Sequence, residues 1–286
     1  MESLQNIDSL SQLLGRPRAK PYRGALIDAW GVIHNGVELF DGAGEAMVRF
    51  REEIGPIVIL TNAPRPSSII PAQLERLGLP DNAYDSIVTS GDAVRAEIKK
   101  HLPAPFYRLG PDKDDALYQN LAIDFVPLER ADFIICTGML DELGDEKPED
   151  YASMFAPAIE RGVEMICANP DIVVRWGDRL IYCAGALAQV YERLGGKVIH
   201  GGKPHKPIYE LAMERLKGFD QTLEPGNVLA IGDGLGTDVA GANRHGIDIL
   251  YIFGSGGIHE KSDASVEEIL RGAGAHAVAT AESLRW

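Results

Sequence analysis

Short, continuously apolar runs recur along this chain, each followed by an amphipathic stretch of helical length, and that alternation restricts the fold more than any other feature. Gly24 to Ala29 (GALIDA), Ile57 to Thr61 (IVILT) and Ser86 to Ser90 (SIVTS) read as strands. Glu45 to Ile54, with Met47, Phe50 and Ile54 on one face, and Ser67 to Leu77, closed by Gly78, read as the helices that link them. Strands that are apolar throughout, rather than at every second residue, are those buried on both faces of a parallel sheet, with helices as the crossovers. The pattern returns near the C-terminus, with a helix over Pro207–Leu216, a strand over Val228–Gly232, a helix over Asp238–His245 and a strand over Asp248–Phe253. The fold class expected is α/β, with a doubly wound parallel sheet.

Between Leu102 and Leu180 the same grammar is looser, with strands expected at Phe106–Leu109, Ile123–Val126, Phe133–Thr137 and Glu164–Ala168. This middle section reads as a second α/β domain inserted into the first. The division expected is 20–102 and 181–286 for a discontinuous core domain and 103–180 for the inserted one. Residues 1–19 form an N-terminal helix and linker, with Leu4, Ile7, Leu10, Leu13 and Leu14 at helical spacing. A chain of 286 residues buries enough surface to need no disulfide or metal for its core. Its three cysteines, Cys136, Cys167 and Cys183, are odd in number and set in apolar runs, so they read as reduced, buried thiols of a cytoplasmic protein. No apolar stretch reaches the ~18 residues of a membrane span, and the N-terminus lacks the basic-then-apolar pattern of a secretion signal. With 28 Lys+Arg against 42 Asp+Glu the net charge is −14, which argues against nucleic acid as a partner. Small phosphorylated molecules stay open, because backbone amides, a lysine or two and a metal can hold those locally.

Polar groups stand where the strands end, the place at which open α/β sheets bind ligands. Asp28 closes GALIDA, and a carboxylate there is costly to bury unless it is paired, bound to metal or capping the next turn. Thr61-Asn62 closes IVILT and reads either as an anion-binding pair or as an ordinary turn. Ile231 to Asp238 (IGDGLGTD) follows VLAIG and carries Asp233 and Asp238 around Gly234 and Gly236. Its spacing is not that of a dinucleotide loop, and Asp233 would repel a pyrophosphate, so the two carboxylates read as ligands for a hard divalent cation. Lys203, held between Gly202 and Pro204 ahead of a helix, is the candidate fixed cation, with Lys206 as its alternative by spacing.

In this order the four clusters resemble the haloacid dehalogenase-like hydrolase superfamily, along the whole chain. The inserted section resembles the large cap of subclass IIA, the group of p-nitrophenylphosphatase-like, pyridoxal-phosphatase-like and sugar-phosphatase-like enzymes. LTNAPRP at 60–66, TSGDA at 89–93, Ala168–Asp171, AGALAQVYERLGG at 184–196 and GGKP at 201–204 support that subclass. The resemblance implies a Rossmann-like core with an α/β cap and a phosphatase for small phosphate monoesters. It implies Asp28 as nucleophile through an aspartyl-phosphate, and Thr61, Asn62 and Lys203 as phosphate-binding residues. Magnesium is implied as cofactor, on Asp28, the backbone carbonyl of Trp30, Asp233 and Asp238. A homodimer paired through the cap is likewise an expectation from resemblance.

One position departs from the family pattern. The second acid of its first motif, which protonates the leaving group, is replaced here by Trp30 (DAWGV). Indole donates a hydrogen bond but does not titrate. Three outcomes are open: a substrate with a good leaving group, another residue as acid, or a phosphometabolite-binding or regulatory protein on an impaired catalytic fold. His34 is the nearest candidate acid, followed by Asp92 and His205, each with a plain structural reading beside it. Asn169 and Asp171 are candidates for contact with the substrate.

Overall fold

The computed structural model describes residues 4–141, 145–176, 179–254 and 265–286. Helix α1 (Leu10–Leu14) precedes β1 (Gly24–Ile27), α2 (Ala43–Glu53), β2 (Ile57–Thr61), α3 (Ile70–Arg76), β3 (Ser86–Thr89) and α4 (Ser90–His101). Then come β4 (Pro105–Leu109), β5 (Asp124–Phe125), β6 (Phe133–Cys136), α5 (Ala152–Glu160), β7 (Glu164–Cys167), β8 (Val173–Trp176), β9 (Arg179–Tyr182), α6 (Ala184–Arg193) and β10 (Lys197–His200). The last part holds α7 (Lys206–Phe219), β11 (Val228–Gly232), a π-helical turn (Leu235–Val239) leading into α8 (Ala240–Arg244), β12 (Asp248–Ile252), α9 (Val266–Gly272) and β13 (Ala279–Ala281).

Six parallel strands in the order β13-β12-β11-β1-β2-β3 form the first sheet. The chain leaves β1 for β2 on one side and pairs it with β11 on the other. The order of connection therefore reverses beside β1, and a crevice opens at the strand ends. Side chains alternate across the sheet with period two. Ala25, Ile27, Ile57 and Ile59 pack with Met47 and Phe50 of α2. Leu26, Val58 and Leu60 pack with Tyr209, Ala212 and Leu216 of α7 on the opposite face.

Five parallel strands in the order β10-β7-β6-β4-β5 form the second sheet. Phe155 of α5 and Leu187 and Tyr191 of α6 cover one face. Val94 and Ile98 of α4 cover the other, packed with Phe106, Leu117 and Ile166. Strands β8 and β9 form a separate antiparallel ribbon.

Two expectations shift. The inserted section was expected to end at residue 180, whereas β10 pairs with β7 through Val198 and Met165, so the second sheet runs on to His200. The N-terminal helix is confined to Leu10–Leu14. Ahead of it the backbone lies along β13, with the Ile7 amide donating to Thr280 O at 2.8 Å and the Thr280 amide to Gln5 O at 3.0 Å. Pairing covers an edge strand that would otherwise present free amides, and it seats Ile7 in the core, so it prevails over the helical spacing of the leucines. All three cysteines are buried, and none is in a disulfide. No helix among the described residues is long and apolar enough to cross a membrane.

Candidate active site

Asp28 follows β1 directly, and its amide donates to Ile231 O at 2.9 Å, continuing the pairing with β11. Thr61 is the last residue of β2, and Asp233 follows the last residue of β11. Parallel pairing thus places all three at one end of adjacent strands. Asp238 arrives by the π-helical turn, where the Asp238 and Val239 amides both donate to Gly234 O. Lys203 enters from the second sheet, after β10. Its Nζ donates to Asp28 Oδ1 at 2.6 Å and to Asp238 Oδ1 at 2.8 Å, with the side chain 2% exposed.

Ligand-capable oxygens of Asp28, Asp233 and Asp238 lie within 4.8 Å of one another. Burial, and then the Asp238 charge, push the Asp28 carboxyl up to about 7 against the opposing pull of Lys203. Burial also raises Asp233, helped by Asp28 and Asp238. Burial alone would lower Lys203, but Asp238, Asp28 and Asp171 overcome it and hold the ammonium well above its usual range. Three carboxyl groups thus crowd one ammonium, and burial with their mutual repulsion opposes ionising all of them together. A divalent cation that prefers carboxylate oxygens fits that arrangement. The backbone after Trp30 closes on the same group. Gly31 has φ +86°, and a Cβ there would stand 2.0 Å from Asp233 Oδ2, so only glycine lets the loop approach.

Asn62 joins three segments. Its Oδ1 accepts from the Lys203 amide at 2.7 Å, and its Nδ2 donates to Asp171 Oδ1 at 2.8 Å and to Lys203 O at 3.3 Å. The side chain is therefore used within the protein, and a contribution to phosphate rests on the main chain. Asp171 is raised by burial, with Lys203 and Asn62 opposing. Asn169 Oδ1 accepts from the Asp171 amide at 3.1 Å, which fixes the turn carrying that carboxylate. Thr61 is buried, and its hydroxyl accepts from the Ala63 amide at 3.3 Å.

The candidate acids fare differently. His34 is buried, its Nδ1 accepts from the Gly36 amide at 3.0 Å, and its ring meets Trp30 edge-on. Burial pulls the imidazole down to about 4, so it is neutral near pH 7 and has little proton to give. Asp92 caps α4: it accepts from the Thr89 and Ser67 amides, while its own amide donates to the Thr89 hydroxyl. His205 stacks on His200 at 4.4 Å and is pulled down to about 4 by burial, His200 and Arg244. Trp30 donates its indole N–H to the carbonyl oxygen of Arg175 in β8, 2.8 Å away. Sequence reasoning missed that contact and the β8–β9 ribbon itself. The only available signal was the pair of apolar-rich runs VVRW and RLIY.

A haloacid dehalogenase-like hydrolase family model matches residues 25–123, and a HAD-hydrolase-like model matches residues 200–281. The chain is 38% identical to a haloacid dehalogenase-like family hydrolase from Brucella suis 1330, covering 97% of this chain and 99% of that one, with a TM-score of 0.86. It superposes with a TM-score of 0.79 on a possible sugar phosphatase from Cytophaga hutchinsonii, at 21% identity over 98% of each chain. It is also 26% identical to the 5'-nucleotidase YutF of Bacillus subtilis, over 82% of this chain and 88% of that protein.

Proposed function

Since the chain belongs to the haloacid dehalogenase-like hydrolase family, we propose that it is a phosphatase for a small phosphate monoester, with Asp28 as nucleophile. The observation that carries the reading is Lys203 Nζ, buried between Asp28 and Asp238 at the strand ends of the first sheet. The names of its relatives, a 5'-nucleotidase and an acid sugar phosphatase, support the substrate class.

In the mechanism we propose, an Asp28 carboxylate oxygen attacks phosphorus, the P–O bond to the organic group breaks, and an aspartyl-phosphate forms. Water then attacks that phosphorus and releases inorganic phosphate, restoring the carboxylate. Splitting the displacement in this way is the advantage of a covalent nucleophile. Lys203 keeps the Asp28 oxygen aimed and offers positive charge to the transferring group. Thr61 and the main chain at Asn62 orient the phosphoryl oxygens. Asp28, Asp233, Asp238 and the Trp30 carbonyl would hold a magnesium ion, which when bound neutralises charge developing on phosphoryl oxygens. The second sheet with its helices is the proposed cap, closing over the crevice and limiting water.

Phosphate release from p-nitrophenyl phosphate, with magnesium and after chelation, tests the reading. Release that requires magnesium and is abolished in Asp28→Asn is expected, and full activity in Asp28→Asn rejects the mechanism. Trp30, which cannot protonate a leaving group, favours one other reading, a phosphometabolite-binding protein. On that reading calorimetry finds inorganic phosphate bound in the presence of magnesium, while no ester is turned over.

A further inference from the structure

Trp30 stands two residues beyond Asp28, and its side chain is engaged rather than idle. The indole N–H donates to the Arg175 carbonyl of β8. Strand β8 pairs with β9 through Val174–Ile181, Arg175–Leu180 and Trp176–Arg179, and among the described residues this ribbon has no further strand beside it. Trp176, Leu180 and Tyr182 are 43%, 57% and 40% exposed. A two-stranded ribbon is marginal by itself in water, so its place depends on the contacts that tie it down. At its base the tie is Asp171, bonded to Asn62 beside Thr61, while the Cys183 amide donating to Ile172 O at 2.9 Å closes the two arms on each other. Along β8 the tie is Trp30. Gly36, with φ +88°, lies against both indoles: a Cβ there would stand 2.4 Å from Trp30 Cη2 and 2.9 Å from Trp176 Cδ1.

We propose that Trp30 is a positioning residue that latches the β8–β9 ribbon beside Asp28, so that the ribbon forms a fixed wall at the mouth of the site. The position has exchanged proton donation for control over which organic group fits. That consequence for substrates rests on the phosphatase reading, whereas the latch itself does not.

Hydrogen exchange of the purified full chain separates the two. Trp30→Phe keeps an aromatic ring and removes the donor. One net hydrogen bond corresponds to a factor of about two to ten in an equilibrium, so the amides of β8 and β9 should exchange faster by that factor while β1 and β11 keep their rates. Gly36→Ala, which pushes the indoles apart without altering them, should produce the same change. In turnover of p-nitrophenyl phosphate, Trp30→Phe should raise KM, and that rise should carry the larger part of the loss in kcat/KM. Unchanged exchange of the ribbon in both variants overturns the latch, and a loss confined to kcat overturns its consequence for substrates. If the wild-type chain releases no phosphate, the exchange rates still decide the latch, and the phosphatase reading fails separately.

Discussion

Lys203 holds together a group of side chains whose charges otherwise oppose folding. Removing the ammonium leaves Asp28, Asp233 and Asp238 in the crevice without it, and breaking a buried ion pair costs about 3–5 kcal/mol. Lys203→Met is therefore expected to lose turnover and to lower Tm when measured by calorimetry without metal. Asp28→Asn should lose turnover with Tm unchanged or raised, because one of three like charges is gone and the amide oxygen still accepts from Lys203. A parallel fall in both variants rejects this account of the charges. Trp30 leads to a kinetic expectation. General acid help contributes about 10²–10⁴-fold, and with none supplied kcat/KM should fall steeply across esters of rising leaving-group pKa. Equal rates for aryl and alkyl phosphates would show that some residue donates the proton. Asp28, Thr61, Lys203, Asp233 and Asp238 were legible as candidates because each is a polar residue ending a buried run or fixed by glycine and proline. The partners of Asn62 were not, since its bonds to Asp171 and Lys203 join residues 109 and 141 positions away.

At the level of elements, legibility followed burial. β2 and β11 appear at the expected residues because both faces are covered and every residue is apolar or small. β10, half-exposed along Val198–His200, leaves no such run and was not among the expected strands. Half of the β8–β9 ribbon is exposed and its strands pair only with each other, so beyond the short runs VVRW and RLIY its sequence does not separate it from a loop. Helix α4 shows the opposite case, a motif (TSGDA) whose chemistry is structural. Thr89 and Asp92 exchange hydrogen bonds with each other's amides, and Asp92 also holds the Ser67 amide, so Asp92 joins α4 to the segment after Thr61. Asp92→Ala is expected to cost about 1–2 kcal/mol of stability, as lost helix caps do, and to leave kcat for p-nitrophenyl phosphate within about twofold. A loss of activity without loss of stability would instead make Asp92 the missing acid.

For the whole molecule the question is how a chain of net charge −14 takes up a dianion. On the proposed mechanism the sheet arrangement answers locally: the crevice collects one buried ammonium and the carboxylates proposed to hold magnesium, and the substrate would meet those cations at contact distance. Farther out the surplus carboxylates repel it. Their reach is the Debye length, ~30 Å at 0.01 M and ~10 Å at 0.1 M ionic strength, so salt removes the repulsion before it weakens contacts inside the crevice. Binding of p-nitrophenyl phosphate should therefore tighten with salt. With magnesium kept saturating, kcat/KM is expected to rise about two- to fivefold between 10 and 150 mM ionic strength, through KM rather than kcat. A fall over the same range would mean that the cations of the crevice, and not the −14 of the chain, govern the approach. In that case the acidic surface serves solubility alone, and uptake of substrate is set entirely within a few ångströms of Lys203.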